Sequence, residues 1–136
     1  MHRSRLTSVV IDCADDEFER GVEFWSQALG KQAIPQEGPR YVSLRGRIGG
    51  EGGAYLLLQR VTKPERAVHL DIETDDVGRE VARLEGLGAR VKARIRNHVV
   101  MVAPSGHPFC VVPAYRGDFP GSAAEWRDDP QPGPAC

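Results

Sequence analysis

The stretch Ser8-Val9-Val10-Ile11-Asp12-Cys13 decides how this chain folds, because it returns in altered form sixty residues later. It is β-branched and apolar, runs into Asp15-Asp16, and is followed by Phe18, Val22, Trp25 and Leu29. That spacing sets the four side chains on one face of a helix, with an aspartate to cap its start and Gly30 to end it. His69-Leu70-Asp71-Ile72-Glu73 then repeats the scheme. It runs into Asp75-Asp76, leads to Val77, Val81, Leu84 and Leu87, and closes at Gly88.

Extended segments follow each helix. The first half carries them near Gln32–Ile34, Tyr41–Arg45 and Ala54–Arg60, the second at Ala89–Ile95, Val99–Ala103 and Phe109–Pro113. Each half therefore reads βαβββ, module one covering about 6–60 and module two about 66–114. Two such modules predict an α+β fold in which a cupped mixed sheet carries its helices on the outer face and leaves the other face concave.

Composition narrows the classes of function. A chain of 136 residues suits one domain, here residues 1–114. Eighteen basic against nineteen acidic residues give nothing that draws polyanions, so nucleic acid is not an expected partner. No apolar run approaches the roughly 20 residues of a membrane span, and no signal peptide is legible, so the expected location is cytoplasmic. Cys13, Cys110 and Cys136 are odd in number and widely spaced, which predicts neither a disulfide framework nor a structural zinc site. Residues 115–136 are rich in proline, glycine and charge and read as an irregular tail. Phe119 and Trp126 are the residues that could pin it.

Strand alternation selects the candidate site. If His69 faces the concave side, so do Asp71 and Glu73, and the repeat adds Ser8, Val10 and Asp12. Tyr55, Leu57, Gln59, Cys110 and Val112 join them, while Leu56, Leu58, Val68, Leu70 and Ile72 face the helices. His69, Asp71 and Glu73 are the candidate catalytic residues, a base with carboxylates for proton transfer. Asp12, Tyr55, Gln59 and Cys110 are candidate ligand-binding residues. A polar network that merely fills the sheet is the competing reading.

Other signals carry less. The segment Gly46-Arg47-Ile48-Gly49-Gly50-Glu51-Gly52-Gly53 lacks the Lys-Ser/Thr of a phosphate loop, and reads as a flexible strand connection able to cover the concave face. Arg90, Lys92, Arg94 and Arg96 alternate with apolar residues, as on an edge strand that keeps neighbours away. His98 and His107 fit turns.

The doubled module, the turn Ala103-Pro104-Ser105-Gly106-His107-Pro108 and the strand Phe109-Cys110-Val111-Val112 together resemble the vicinal oxygen chelate superfamily, and within it the small glyoxalase-like domains. The likeness covers about residues 6–114. It implies a homodimer and a small organic ligand, acted on by a lyase or isomerase-type enzyme, or else held by a non-catalytic binder like the bleomycin-resistance proteins. It also implies a divalent ion (zinc, nickel, manganese or iron) at the family's four ligand positions, here Ser8, Gln59, His69 and Cys110. His69 matches the usual donors, Gln59 is a weak one, Ser8 a poor one, and Cys110 stands where glutamate is expected.

Overall fold

The computed structural model describes residues 1–63 and 67–127. The start expected for module two, near residue 66, and Cys136 lie outside the described residues. The chain falls into two compact units, Thr7–Leu70 and Met1–Leu6 together with Asp71 onward. Nine strands and three helices make up the described residues, with parallel and antiparallel pairing, so the fold is α+β with mixed strands.

In the unit Thr7–Leu70, strand β1 (His2–Ala14) enters from the other unit and pairs in parallel with β4 (Ala54–Val61). Between them come helix α1 (Phe18–Leu29), β2 (Ala33–Pro35) and β3 (Tyr41–Ile48), the strands ordered β2-β3-β4-β1. The amphipathic pattern of α1 seats Phe18 on Val42, Leu44 and Leu58, with Ile11, Cys13, Val22, Trp25, Ala33 and Leu56 packed around them. Leu44 and Leu58 are fully buried, each worth about 2 kcal/mol of hydrophobic stabilisation. Gly30 ends α1 in the left-handed conformation, as its sequence predicts.

The start of α1 differs from expectation. Glu17, not Asp15 or Asp16, stands at the N-cap and makes no side-chain cap bond. Arg60 takes over the tethering, donating to the Asp15 carbonyl at 2.8 Å and the Glu19 carboxylate at 2.5 Å while lying over the Phe18 ring. Val68 and Leu70, expected to face a helix, are 51% and 44% exposed. Helix α1 packs on β2, β3 and β4 instead.

In the other unit, β5 (Val68–Thr74) leads to α2 (Val77–Gly86), β6 (Arg90–Ile95), β7 (His98–Val102) and β8 (Pro108–Pro113). Asp76 caps α2 by accepting the Arg79 N–H at 3.0 Å. Val81, Leu84, Val99, Met101, Phe109 and Val111 form the core.

The tail is more ordered than its composition suggests. Its described part holds a short helix α3 (Phe119–Ser122) and a strand β9 (Ala124–Trp126) antiparallel to His2–Ser4. Long-range side-chain contacts fix it. Phe119 is buried with the Arg5 guanidinium 5.5 Å from its ring centre, and the Trp126 indole N–H donates to the Ser4 hydroxyl at 2.9 Å. Arg83 lies 3.8 Å over the Trp126 ring. Among the described residues, no helix is long and apolar enough to cross a membrane.

Candidate functional site

The face of the Thr7–Leu70 unit turned away from α1 collects its polar side chains. Pairing sets Ser8 opposite Tyr55, Val10 opposite Leu57 and Asp12 opposite Gln59, so these six share one face. Strand β3 adds Tyr41 opposite Gln59 and Ser43 opposite Leu57. Leu56 and Leu58 point to the helix side, as the alternation predicts. Ser8, Asp12, Ser43 and Gln59 are buried, so this polar row is not a solvated surface. The Gln59 amide donates to the Tyr41 phenol at 3.1 Å.

His69 enters the same unit at the start of β5. The Asp12 N–H donates to the Ala67 carbonyl at 2.7 Å, tying that start to β1. Ala67 takes φ +56°, a left-handed conformation unusual without glycine, and His69 follows two residues later. Its Nδ1 lies 3.1 Å from Asp12 Oδ2, and both side chains are buried. With Asp12 ionised, its carboxylate can only accept, which puts the shared proton on Nδ1. A buried imidazole held in one tautomer by a carboxylate is suited to taking up a proton, because the carboxylate favours the imidazolium that forms.

The other unit holds the remaining expected residues. Glu73 is fully buried and accepts the Arg5 Nε–H at 2.5 Å. Arg5 also donates to Asp118 at 2.9 Å and to the Ser122 hydroxyl. Burial works against the Arg5 charge, but the hydrogen bonds it donates to Asp118 and Glu73 outweigh that and raise its pKa above the ordinary value. Glu73 is therefore the anchor of an ion pair. An Asp71 carboxylate oxygen and the Cys110 sulfur lie within 4.8 Å of each other.

Ser8 and Gln59 offer only neutral oxygens, and Gln59 already binds Tyr41, so the expected set Ser8, Gln59, His69 and Cys110 lacks the donors of a closed cage. His69 and Cys110 are donor types that zinc accepts, and Asp71, expected as a catalytic residue and not as a ligand, is a third.

Three side chains that contact candidate residues were not legible in the sequence. Tyr41 opens β3 opposite Gln59, a register that no local pattern reveals. Arg5 finds its partners 68 and 113 positions away. Arg47 sits in the glycine-rich segment and was passed over with it. An open groove of about 310 Å³ lies on the helix side of this unit, lined by Phe18, Val22, Ala33 and Val42 among others. It is on the opposite side of the sheet from Asp12 and Gln59.

Comparison with known proteins agrees with this fold. A family model described as glyoxalase-like domain matches residues 8–112. No curated protein matches the chain. Among solved structures, a methylmalonyl-CoA epimerase in complex with methylmalonyl-CoA and NH4+ is similar, with 21% identity, 82% of this chain and 95% of that chain covered, and a TM-score of 0.56. The methylmalonyl-CoA epimerase of Mycobacterium tuberculosis follows at 18% identity, 82% and 88% coverage and a TM-score of 0.53. A glyoxalase/bleomycin resistance protein/dioxygenase superfamily member from Vibrio splendidus 12B01 matches at 15% identity, 82% and 99% coverage and a TM-score of 0.51. These likenesses show the fold, and the family model establishes that the chain belongs to the glyoxalase-like domain family.

Proposed function

We propose that this protein is an isomerase- or lyase-type enzyme that acts on a small organic molecule by moving a proton on the carbon beside a carbonyl. The observation that carries this is the 3.1 Å pairing of buried His69 with buried Asp12. The imidazole of His69 removes the proton, and the electron pair of the broken C–H bond moves to the carbonyl oxygen. Return of the proton to the other side of the carbon gives an isomer, whereas loss of a group from the next carbon gives an elimination product. Asp12 positions the imidazole and stabilises its charged form. Acting in a cytoplasmic homodimer belongs to the same proposal, on the strength of the family likeness.

The test is hydrogen exchange. Protein is incubated in deuterium oxide with methylmalonyl-CoA, and with 2-substituted ketones and thioesters, and proton loss is followed by NMR. Exchange that disappears in His69→Ala supports the enzyme. Ligand-induced stabilisation without exchange favours the binder resembling bleomycin-resistance proteins.

A further inference from the structure

Helix α1 leaves a slot against the edge of its own sheet. Phe18, Val22 and Ser26 succeed each other along the side of the helix that faces β2 and β3. Strand β2 is only three residues long and meets the helix with the small Ala33. A groove of about 310 Å³ therefore stays open, floored by Phe18, Val22, Ala33 and Val42. Phe18 and Val42 are buried members of the core, so the floor is fixed from beneath. The volume lies at the lower end of the range for small-molecule sites, about 300–1,000 Å³. It has room for one aromatic ring or a short alkyl chain.

One wall of the groove is acidic. Glu19, Glu23 and Gln27 lie one turn apart along α1 and border the floor. Glu19 is occupied: it accepts Arg60 Nη2 at 2.5 Å, a bond that holds its carboxyl below the usual carboxylate range. The Ser26 hydroxyl is also occupied, donating to the Lys31 carbonyl. Glu23 accepts only the Gln27 amide, at a long 3.4 Å, and no cation reaches it among the described residues.

An apolar slot with one uncompensated carboxylate on its wall suits a molecule with an apolar body and a single positive charge. The body takes the floor out of water, and the charge stays at the rim beside Glu23. An anion would meet that carboxylate as a like charge, and a neutral compound would leave it without a counter-charge. We infer that the groove is a binding site for a small organic ammonium compound, with Glu23 as its charged anchor and Ala33 setting its depth. It is separate from the Asp12–His69 pair, because Asp12 and the groove lie on opposite sides of the sheet. The site does not rest on the proton-transfer reading above.

Isothermal titration of the full chain with hexylammonium, hexanol and hexanoate tests the site, since the three probes share a chain and differ in charge. Saturable binding of hexylammonium is expected, tighter than that of hexanol and weakened about two- to fivefold in Glu23→Gln. Glu23→Lys should reverse the preference towards hexanoate. Ala33→Ile puts a larger, strand-compatible side chain into the groove and should weaken hexylammonium about tenfold or more. His69→Ala should bind it as the native protein does, so the site stands even if no compound exchanges its proton. No saturable binding of hexylammonium overturns the proposal, as does equal affinity for all three probes. Affinity unchanged in both Glu23 variants overturns it too, and loss of binding in His69→Ala would move the ligand to the other face. A dimer in sedimentation that Ala33→Ile abolishes, with no probe bound, would assign the groove to a second copy of the chain and overturn the proposal. If Ala33→Ile does not fold, the Glu23 variants, made at an exposed position, decide.

Discussion

Arg5 and Glu73 form a buried ion pair, Nε to Oε1 at 2.5 Å, in which both side chains are at least nine-tenths hidden from water. The pair gives Glu73 an architectural role. Glu73→Leu strands a buried guanidinium and should cost about 3–5 kcal/mol, whereas Arg5→Met with Glu73→Leu should recover most of that loss. Urea unfolding of the two single variants and the double variant measures it. Equal stability of Glu73→Leu and the native protein would remove Glu73 from this structural role.

Glu80 makes stability depend on acidity. Burial pushes its carboxyl up, but hydrogen bonds from Arg83, Ser4 and His2, with the Arg83 charge, outweigh that and leave its pKa below the ordinary carboxylate value. A carboxylate with a lowered folded pKa stabilises the protein above its unfolded value, about 4.3, and loses that contribution as pH falls through the folded pKa. Thermal melts between pH 6 and roughly pH 3 should therefore fall more steeply for the native protein than for Glu80→Gln. Parallel curves would show that the ionised Glu80 contributes nothing.

The tail holds its unit together through Phe119, which is 4% exposed. Phe119→Ala should cost about 3–5 kcal/mol, and truncation after Ala114 at least as much, because it also removes β9 from His2–Ser4. Denaturant midpoints of both proteins provide the check. A truncated chain of native stability would return these residues to the role of a dispensable appendage.

These three cases mark what could be read from the sequence. Periodicity located α1 and α2, and alternation put Asp12 and Gln59 on one face with Leu56 and Leu58 on the other, because those patterns are local consequences of backbone geometry. The tail and the buried charges could not be read that way. Arg5 meets Glu73 and Asp118, and Trp126 meets Ser4, only after long stretches of chain have folded, and a charged residue in sequence looks like a solvated one. His69 was legible as a candidate base, but its hydrogen-bonded carboxylate, Asp12, lies 57 positions earlier. The bulge in β3 between Leu44 and Ile48 looked like a loop, since glycines signal both.

Cys13 should be a slow thiol. Burial pushes its pKa up, and the nearby charges of Asp12 and Glu17 add to the effect. The thiolate is the reacting form, so a thiol-reactive disulfide at neutral pH should label Cys13 far more slowly in the native protein than in urea. Equal rates would contradict this.

The account stands on His69 acting as a base positioned by Asp12, and deuterium exchange into a carbonyl ligand tests that directly. The native protein should exchange the proton; His69→Ala should lower the rate by a factor of about 100 or more, with ligand-induced stabilisation kept. Asp12→Asn should lie between them, with the acid limb of its pH–rate profile moved to lower pH, because the carboxylate no longer supports the imidazolium. Exchange that proceeds at the native rate in both variants would contradict the account.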